Sequence, residues 1–347
     1  MKTEFSRRDF LKVSALGLAS LAFQKNPSPF QYADGDDLAR IATRSVSVYS
    51  EPNDESQILY QRYRDDLIHV YYEVVSEYGP GYNPVWYRTW RGYIHSAHLQ
   101  RVKTRLNPVL STVSEDGVLT EVTVPISQSM RYSKYTGWEP LYRLYYESVH
   151  WIVGVDEGPD GGPWYKVEDE LDSSYIYFVP AEHLRVVTRS ELAPISPDVP
   201  PEKKRIEVSI ARQMLTAYEG DDIVLQTKIS SGVPQPNRVP GRVPTDTPTG
   251  TFHIQNKMPS KHMGDGYMTA DLEAYELPGV PWVSFFEPVT GVATHGTYWH
   301  TNYGMTMSHG CVNMRSEEAK WIFRWATPFY EFGNWDTKGY GTQVIVS

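Results

Sequence analysis

The sequence predicts a mainly β protein built from more than one domain. Its 347 residues are enough chain for about two or three domains. Apolar and polar residues alternate along short segments, as at Ile206, Val208 and Ile210, which is the pattern of half-buried strands. One segment ending occurs twice, which indicates a duplicated β unit. The expected molecule is therefore a series of β-rich domains.

Composition and charge exclude several classes of protein. No apolar run reaches the roughly 20 residues that span a bilayer, so a multi-pass membrane protein is excluded. The net charge is -9 and no basic stripe follows residue 25, which predicts no nucleic-acid partner. Cys311 is the single cysteine, which excludes intrachain disulfides and zinc sites with two or more thiolates.

The N-terminus predicts an export signal over residues 1–24. Ser-Arg-Arg-Asp-Phe-Leu-Lys at residues 6–12 precedes a short apolar stretch at residues 13–23. The segment resembles a twin-arginine signal, which implies export in folded form to the periplasm, cell wall or extracellular face. A basic disordered tail is the alternative interpretation. Ala22 permits cleavage, although a retained anchor stays open because no Ala-x-Ala site is present.

A linker over residues 25–39 precedes two β units, predicted at residues 40–103 and 104–189. The units end alike, with Trp86-Tyr87-Arg88 and His98 in the first, and Trp164-Tyr165-Lys166 and His183 in the second. The matched positions favour packing roles for both histidines. The pair resembles bacterial SH3-like small β-barrels, which implies wall-associated binding or spacing modules. Plain β domains without a ligand are the alternative.

A Pro-rich linker, residues 190–204, leads to a C-terminal domain at residues 205–347. Strands are expected at residues 206–210, 223–229, 251–254, 282–286, 291–295 and 343–346. One helix is expected after Ser316, its predicted N-cap, with Glu317 and Glu318 at the positive end of the helix dipole. Pro328 is expected to end it.

His295 and Cys311 carry the chemistry that this domain predicts. A thiol attacks a carbonyl as thiolate, and a nearby imidazole is expected to lower the thiol pKa and to return the proton to a leaving amine. Gly310 allows close approach of a substrate carbonyl, where the N–H groups of residues 310 and 311 can hold an oxyanion. A nucleophilic cysteine is therefore the first hypothesis.

A family resemblance extends this hypothesis. His295-Gly296 followed by Ser308-His309-Gly310-Cys311-Val312-Asn313 resembles the catalytic signature of YkuD-type L,D-transpeptidases, and Thr247-Pro248-Thr249-Gly250 resembles a turn of that family. The resemblance covers residues 205–347 and implies a β-sandwich with a short helix after the cysteine. It implies Cys311 as nucleophile, His295 as proton acceptor and donor, and the Gly296 carbonyl as the group that orients His295.

Further residues receive roles from the resemblance or from their position. His309, Gly310, Ser308 and Asn313 are expected to support catalysis. Substrate contacts are expected from Thr290, Gly291, Asn313, Trp299, Tyr267 and Tyr275. The two tyrosines lie between Met258 and Gly279, in the place of the family's active-site lid, where Gly264 and Gly266 suit a hinge. A core position is the alternative for Trp299.

The resemblance implies peptidoglycan biosynthesis, and with it cell-wall organisation and cell shape. Cys311 would attack the carbonyl between the third residue and the terminal D-alanine of a tetrapeptide stem, giving a thioester. The side-chain amine of a neighbouring stem would then complete a 3→3 crosslink, whereas water would make the enzyme an L,D-carboxypeptidase. The resemblance implies no metal or organic cofactor, and it implies carbapenem β-lactams as inhibitors that acylate Cys311.

Three other interpretations stay open at this point. Cys311 is a buried small apolar residue in the first. In the second, one thiolate and three imidazoles, from Cys311, His295, His300 and His309, hold zinc. In the third, the catalytic domain is inactive and the SH3-like modules bind the wall.

Overall fold

Short antiparallel strands dominate the computed structural model, which describes residues 37–235 and 243–347. These residues belong to one compact unit. The twin-arginine segment predicted at residues 1–24, and most of the linker at residues 25–39, lie outside the described residues. None of the helices in the described ranges has the length and apolar character needed to cross a membrane.

The first module consists of two sheets. Its strands are β1 (Leu38–Ile41), β2 (Ser45–Tyr49), β3 (Ile58–Tyr63), β4 (Leu67–His69), β5 (Tyr72–Val75), β6 (Val85–Thr89), β7 (Gly92–His95) and β8 (Leu99–Val102). Strands β4, β1 and β8 form a three-stranded sheet, and the other five form a sheet in the order β3-β2-β7-β6-β5. The module begins at Leu38, two residues before the predicted start at residue 40, because β1 pairs with β8 from Leu38 onward.

The second module is a single seven-stranded sheet. Its strands are β9 (Val118–Val122), β10 (Ile126–Ser133), β11 (Gly137–Tyr145), β12 (Val149–Glu157), β13 (Pro163–Glu168), β14 (Ile176–Pro180) and β15 (Leu184–Val186). The sheet order is β11-β10-β14-β13-β12-β9-β15, so its end strands β11 and β15 are not paired with each other. The sheet is therefore not a closed barrel, and the small-barrel fold stays a prediction for both modules.

The duplication expected from the sequence recurs in the structure. In each module the first strand pairs antiparallel with the last, β1 with β8 and β9 with β15. A short 3₁₀ turn precedes each last strand, at Ser96–His98 and at Ala181–His183. His183 Nδ1 lies 2.9 Å from the hydroxyl of Ser127, in keeping with the structural role expected for the repeated histidines.

The described residues of the C-terminal part form two five-stranded sheets and one α-helix. Its elements are β16 (Lys204–Ser209), β17 (Met214–Glu219), β18 (Asp222–Lys228), β19 (Gly250–His253), β20 (Asn256–Gly264), β21 (Glu276–Glu287), β22 (Val292–Gly296), β23 (Val312–Met314), α1 (Ser316–Trp325), β24 (Thr337–Lys338) and β25 (Gln343–Val346). The sheet orders are β18-β17-β16-β25-β19 and β23-β22-β21-β20-β24. The parallel pair β22 and β23 positions the predicted catalytic residues.

Helix α1 packs on the sheet that carries the site. Ala319, Ile322 and Phe323 are buried, and the Phe323 ring lies 5.8 Å from the ring of Trp282 on β21. The predicted N-cap was wrong by one residue. Arg315 is the N-cap and Ser316 is the first helical residue, because the backbone turns from extended to helical after Arg315.

Candidate active site

Two neighbouring parallel strands bring the predicted catalytic residues together. Strands β22 and β23 run parallel, with Thr294 opposite Val312 and His295 opposite Asn313. Cys311 directly precedes β23, so in this register it lies level with Ala293, two residues before His295 and on the same face of β22. Partners in a parallel register have side chains on the same face of the sheet. The structure therefore places His295, Cys311 and Asn313 around one position.

His295 is held as a neutral base. Its ring is 2% exposed, and Nδ1 lies 2.9 Å from the carbonyl oxygen of Gly296, the contact that the family resemblance implies. Because a carbonyl only accepts, Nδ1 carries the proton and Nε2 is the basic nitrogen. Burial lowers the pKa of His295 to about 4, against a smaller opposing effect of the Gly296 carbonyl. His295 is therefore neutral at pH 7.

Cys311 is held as a thiol. Its side chain is half-buried, and Sγ lies 3.7 Å from the carbonyl oxygen of Gly291. Burial raises the pKa of Cys311 to about 11. The expectation that the imidazole lowers the thiol pKa was wrong for this resting state, because desolvation of the sulfur dominates. The site therefore rests as a neutral thiol and a neutral imidazole.

A small hydrogen-bond network fixes the loop before Cys311. The Ser308 hydroxyl donates to the carbonyl of Cys311 and accepts from the N–H of Gly310 at 3.2 Å. Thr247 Oγ1 donates to the carbonyl of Gly310 at 2.7 Å and accepts from the N–H of Gly232 at 2.7 Å. The Gly310 N–H is thus engaged by Ser308, contrary to its expected role as an oxyanion donor. Thr247 is a supporting residue that its sequence motif did not reveal.

Several of the predicted site residues line a cavity of about 430 Å³. His295, Ser308, His309, Cys311 and Asn313 contribute to its wall. Trp299 and Tyr275 also line it, as the sequence predicts. The Trp299 ring lies 5.8 Å from that of His295, and the Tyr275 ring lies 5.2 Å from that of His309, with edge-to-face geometry in the second pair.

Three predicted substrate residues, Tyr267, Thr290 and Gly291, are not among the residues of the cavity wall. The side chain of Tyr267 is 66% exposed, and its backbone N–H and carbonyl are bound by Glu276 and Tyr142. Thr290 lies in an exposed turn, where its N–H donates to the carboxylate of Glu287 at 2.9 Å. These local hydrogen bonds hold Tyr267 and Thr290 away from the described cavity lining.

The comparison with known proteins agrees with this geometry. Residues 203–346 match the YkuD family, whose description is L,D-transpeptidase catalytic domain. Residues 203–346 are therefore an L,D-transpeptidase catalytic domain. The match covers less than half of the chain and leaves the two N-terminal modules outside it. No curated protein matches the chain.

Solved L,D-transpeptidase structures also align with the chain. A mutant Enterococcus faecium L,D-transpeptidase is 27% identical, with 42% of this chain and 50% of that chain covered and a TM-score of 0.30. An L,D-transpeptidase from Mycobacterium smegmatis is 18% identical, with 51% and 74% covered and a TM-score of 0.32. One from Xylanimonas cellulosilytica is 22% identical, with 42% and 60% covered and a TM-score of 0.29. The aligned part thus spans half the length of the Enterococcus protein.

Residues of both N-terminal modules line the same cavity as the L,D-transpeptidase site. They are Arg40 and Arg64 from the first module, and Tyr142, Arg143 and Tyr145 from the second. The loop after His295 is also bound by the first module. There the N–H of Thr301 donates to the carbonyl of Ala97 at 2.9 Å, and Asn83 Nδ2 donates to Asn302 Oδ1 at 3.2 Å. The cavity therefore lies between all three parts of the chain.

Arg40 is the central buried residue of this junction. Its guanidinium is 2% exposed and donates to Asp65 Oδ1 at 3.1 Å, to Gln100 Oε1 at 3.0 Å and to the carbonyl of Tyr298 at 2.7 Å. It also lies 3.8 Å from the ring centre of Tyr145. Arg40 thus joins both modules to the residues that follow His295.

The loop predicted as a lid is shorter than residues 258–279, because β20 and β21 extend into that segment. Only residues 265–275 lie between the two strands. Both modules bind this loop. Arg64 donates to the carbonyl of Leu272 and pairs with Glu273, and the Tyr142 hydroxyl donates to the carbonyl of Tyr267 at 3.1 Å.

A buried histidine anchors the base of this loop to the second module. His262 Nδ1 lies 2.8 Å from Asp169 Oδ2, and Nε2 lies 2.9 Å from Glu276 Oε2. Burial alone disfavours the charged ring, but the hydrogen bonds and charges of Asp169 and Glu276 outweigh it and raise the pKa of His262. Glu276 also accepts from the N–H of Gly266, so His262 and Glu276 together tie the base of the loop to Asp169.

We expect His262→Gln to remove a pH-dependent part of stability. A raised pKa means that the contribution is fully present below about pH 6.5 and is lost as pH rises through the folded-state pKa. The difference in unfolding free energy between wild type and variant should therefore shrink as pH rises above 6.5, measured by urea unfolding. His253→Gln, at a half-buried histidine outside the contacts of Asp169 and Glu276, serves as the control substitution. A difference that grows with pH would contradict this assignment.

The zinc hypothesis does not fit the described residues. Within residues 37–235 and 243–347, no group of three or more His, Cys, Asp or Glu side chains is arranged to hold a metal ion. His300 has both ring nitrogens engaged, Nδ1 by the N–H of Asn302 at 3.2 Å and Nε2 by Asn313 at 2.9 Å. It is therefore not available as a ligand beside Cys311.

Proposed function

We propose that this chain is an exported L,D-transpeptidase that crosslinks peptidoglycan stem peptides. One observation carries the proposal. The L,D-transpeptidase domain holds Cys311 directly before β23 and His295 on the neighbouring parallel strand β22, and both residues line one cavity. A nucleophile and a base at one position are what acyl transfer requires.

In the first step, His295 Nε2 takes the proton of the Cys311 thiol while Sγ attacks the carbonyl between the third residue and the terminal D-alanine of a tetrapeptide stem. The carbon–nitrogen bond then breaks, and His295 returns the proton to the leaving amine of D-alanine. The acyl group stays on Cys311 as a thioester. Because both groups start neutral, the proton moves during attack rather than before it.

In the second step, the side-chain amine of the third residue on another stem attacks the thioester carbonyl. His295 accepts a proton from that amine and returns it to the sulfur as the carbon–sulfur bond breaks. The product is a 3→3 crosslink, and Cys311 is again a thiol. Water in place of the amine would release a tripeptide, which is L,D-carboxypeptidase activity.

Export and wall contact complete the proposal. The twin-arginine pattern at residues 6–12 supports export of the folded chain. The duplicated modules support contact with the wall, and they also form part of the cavity wall next to Cys311. The enzyme would thus act in the periplasm, in the cell wall or on the extracellular face.

Intact-protein mass spectrometry of the full chain with a disaccharide tetrapeptide tests the proposal. We expect a thioester adduct in wild type, no adduct in Cys311→Ala, and acylation about 10²- to 10⁴-fold slower in His295→Ala, because general base catalysis has that size. Crosslinked dimer among the products supports transpeptidation. Tripeptide without dimer would replace it with carboxypeptidase activity. A folded wild type without adduct would favour the inactive wall-binding alternative.

A further inference from the structure

His300 and Asn313 form a buried pair, and the hydrogen bonds of the His300 ring determine how the Asn313 side-chain amide is oriented. The N–H of Asn302 donates to His300 Nδ1 at 3.2 Å. His300 Nε2 lies 2.9 Å from the side-chain amide of Asn313, which is placed with Nδ2 toward the ring. Both residues are 2% exposed. Asn313 Oδ1 is buried and has no hydrogen-bond partner in the described part of the chain.

Only one tautomer of the His300 ring is compatible with these contacts. A neutral imidazole has one donor nitrogen and one acceptor nitrogen. His300 is neutral, since burial lowers its pKa to about 3. The backbone N–H of Asn302 only donates, so Nδ1 is the acceptor and Nε2 carries the proton. Nε2–H then needs an acceptor, and the Asn313 amide offers one only if its oxygen faces the ring.

We infer that His300 is a positioning residue that turns the Asn313 amide so that its NH₂ group donates to a carbonyl oxygen of the substrate. A half-turn of the amide brings Oδ1 to Nε2–H and replaces the unpartnered buried oxygen by a donor group. The family resemblance implies that Asn313 touches substrate. The new points are that Asn313 acts as the hydrogen-bond donor in that contact and that His300 sets the orientation of its amide.

The surroundings of Asn313 agree with a hydrogen-bond donor beside Cys311. Asn313 lines the cavity together with Cys311, whereas His300 is not among the residues of the cavity wall. The amide end opposite His300 is buried and unpartnered, so a donor placed there would be shielded from bulk water. The N–H of Gly310 is already bound by Ser308, which leaves the Asn313 NH₂ as a side-chain donor near Cys311. This role rests on the proposed acyl transfer.

The tautomer of His300 tests the inference without any substrate. Full-length protein with ¹⁵N-labelled histidine would be measured by long-range ¹H–¹⁵N NMR, with the His300 signals identified by their loss in His300→Gln. We expect protonated Nε2 and unprotonated Nδ1 between pH 5 and 8. The opposite tautomer, with Nε2 unprotonated, would overturn the inference whether or not the chain is a transpeptidase.

Kinetics test the donor itself. Asn313→Asp keeps the shape and the acceptor for Nε2–H but removes the NH₂ group, so we expect Cys311 acylation by the tetrapeptide to slow roughly 10²-fold, as for other oxyanion donors. His300→Gln keeps an N–H donor and should lose less than His300→Leu. His253→Gln, at a half-buried histidine that is not part of the cavity wall, is the control. Wild-type acylation rates in Asn313→Asp, with the expected tautomer, would overturn the donor role.

Discussion

Alkylation of Cys311 by iodoacetamide is expected to be slow at pH 7 and to rise about tenfold with each pH unit until about pH 11. The reactive species is the thiolate. A pKa of about 11 leaves roughly one molecule in 10⁴ as thiolate at pH 7, against about one in 10² for an ordinary cysteine with a pKa of 9.0. Because Cys311 is the single cysteine, one mass shift measures its reaction.

Two comparisons make this measurement decisive. The chain unfolded in urea should react at pH 7 about 10²-fold faster than the folded protein, since burial no longer raises the thiol pKa. Acylation by the tetrapeptide should stay level between pH 5 and 8 and fall below about pH 4, where His295 becomes protonated. Rapid alkylation that is already constant from pH 6 upward would instead show a preformed thiolate–imidazolium pair.

Replacement of Arg40 by Met is expected to destabilise the protein by about 3–5 kcal/mol, because removal of one partner leaves buried polar groups unpaired. The carbonyl of Tyr298 and the Gln100 side-chain oxygen would lose their guanidinium donor, and Asp65 would keep Arg143 and the Tyr145 hydroxyl as partners. Urea unfolding of the full chain measures the loss.

Arg101→Met is the matched control. Arg101 lies in the same module and pairs with Glu73 at 3.4 Å, but both side chains are partly exposed, at 37% and 58%. Exposed pairs of this kind contribute about 0–1 kcal/mol. Equal small losses in both variants would show that Arg40 does not stabilise the junction between the modules and the catalytic domain.

The local patterns of the sequence predicted the elements and the reacting groups. Alternation predicted β16, and the repeated endings predicted a duplicated β unit, in which the structure shows matching 3₁₀ turns at Ser96–His98 and Ala181–His183. The spacing of His295 and Cys311 predicted a shared site, and both line one cavity. Such features depend on neighbours in the chain or on motifs of fixed length.

Long-range contacts and burial were not predictable in the same way. Arg40 lies at the edge of a predicted linker, yet it binds the carbonyl of Tyr298, which is 258 residues away. Asp169 and His262 come from different parts of the chain and carry no motif. The thiol pKa was predicted in the wrong direction, because a residue pattern indicates a neighbouring imidazole but not how far Cys311 is desolvated.

The shared cavity wall affects how this protein can be dissected. A fragment beginning at residue 205 would keep Cys311 and His295 but would lose the faces contributed by Arg40, Tyr142 and Arg143. Solvent would then reach the Tyr298 carbonyl and one side of the lid loop. An inhibitor screen on such a fragment would favour compounds that fit a wider cavity opening than the whole chain has. Inhibitors should therefore be screened with the whole chain.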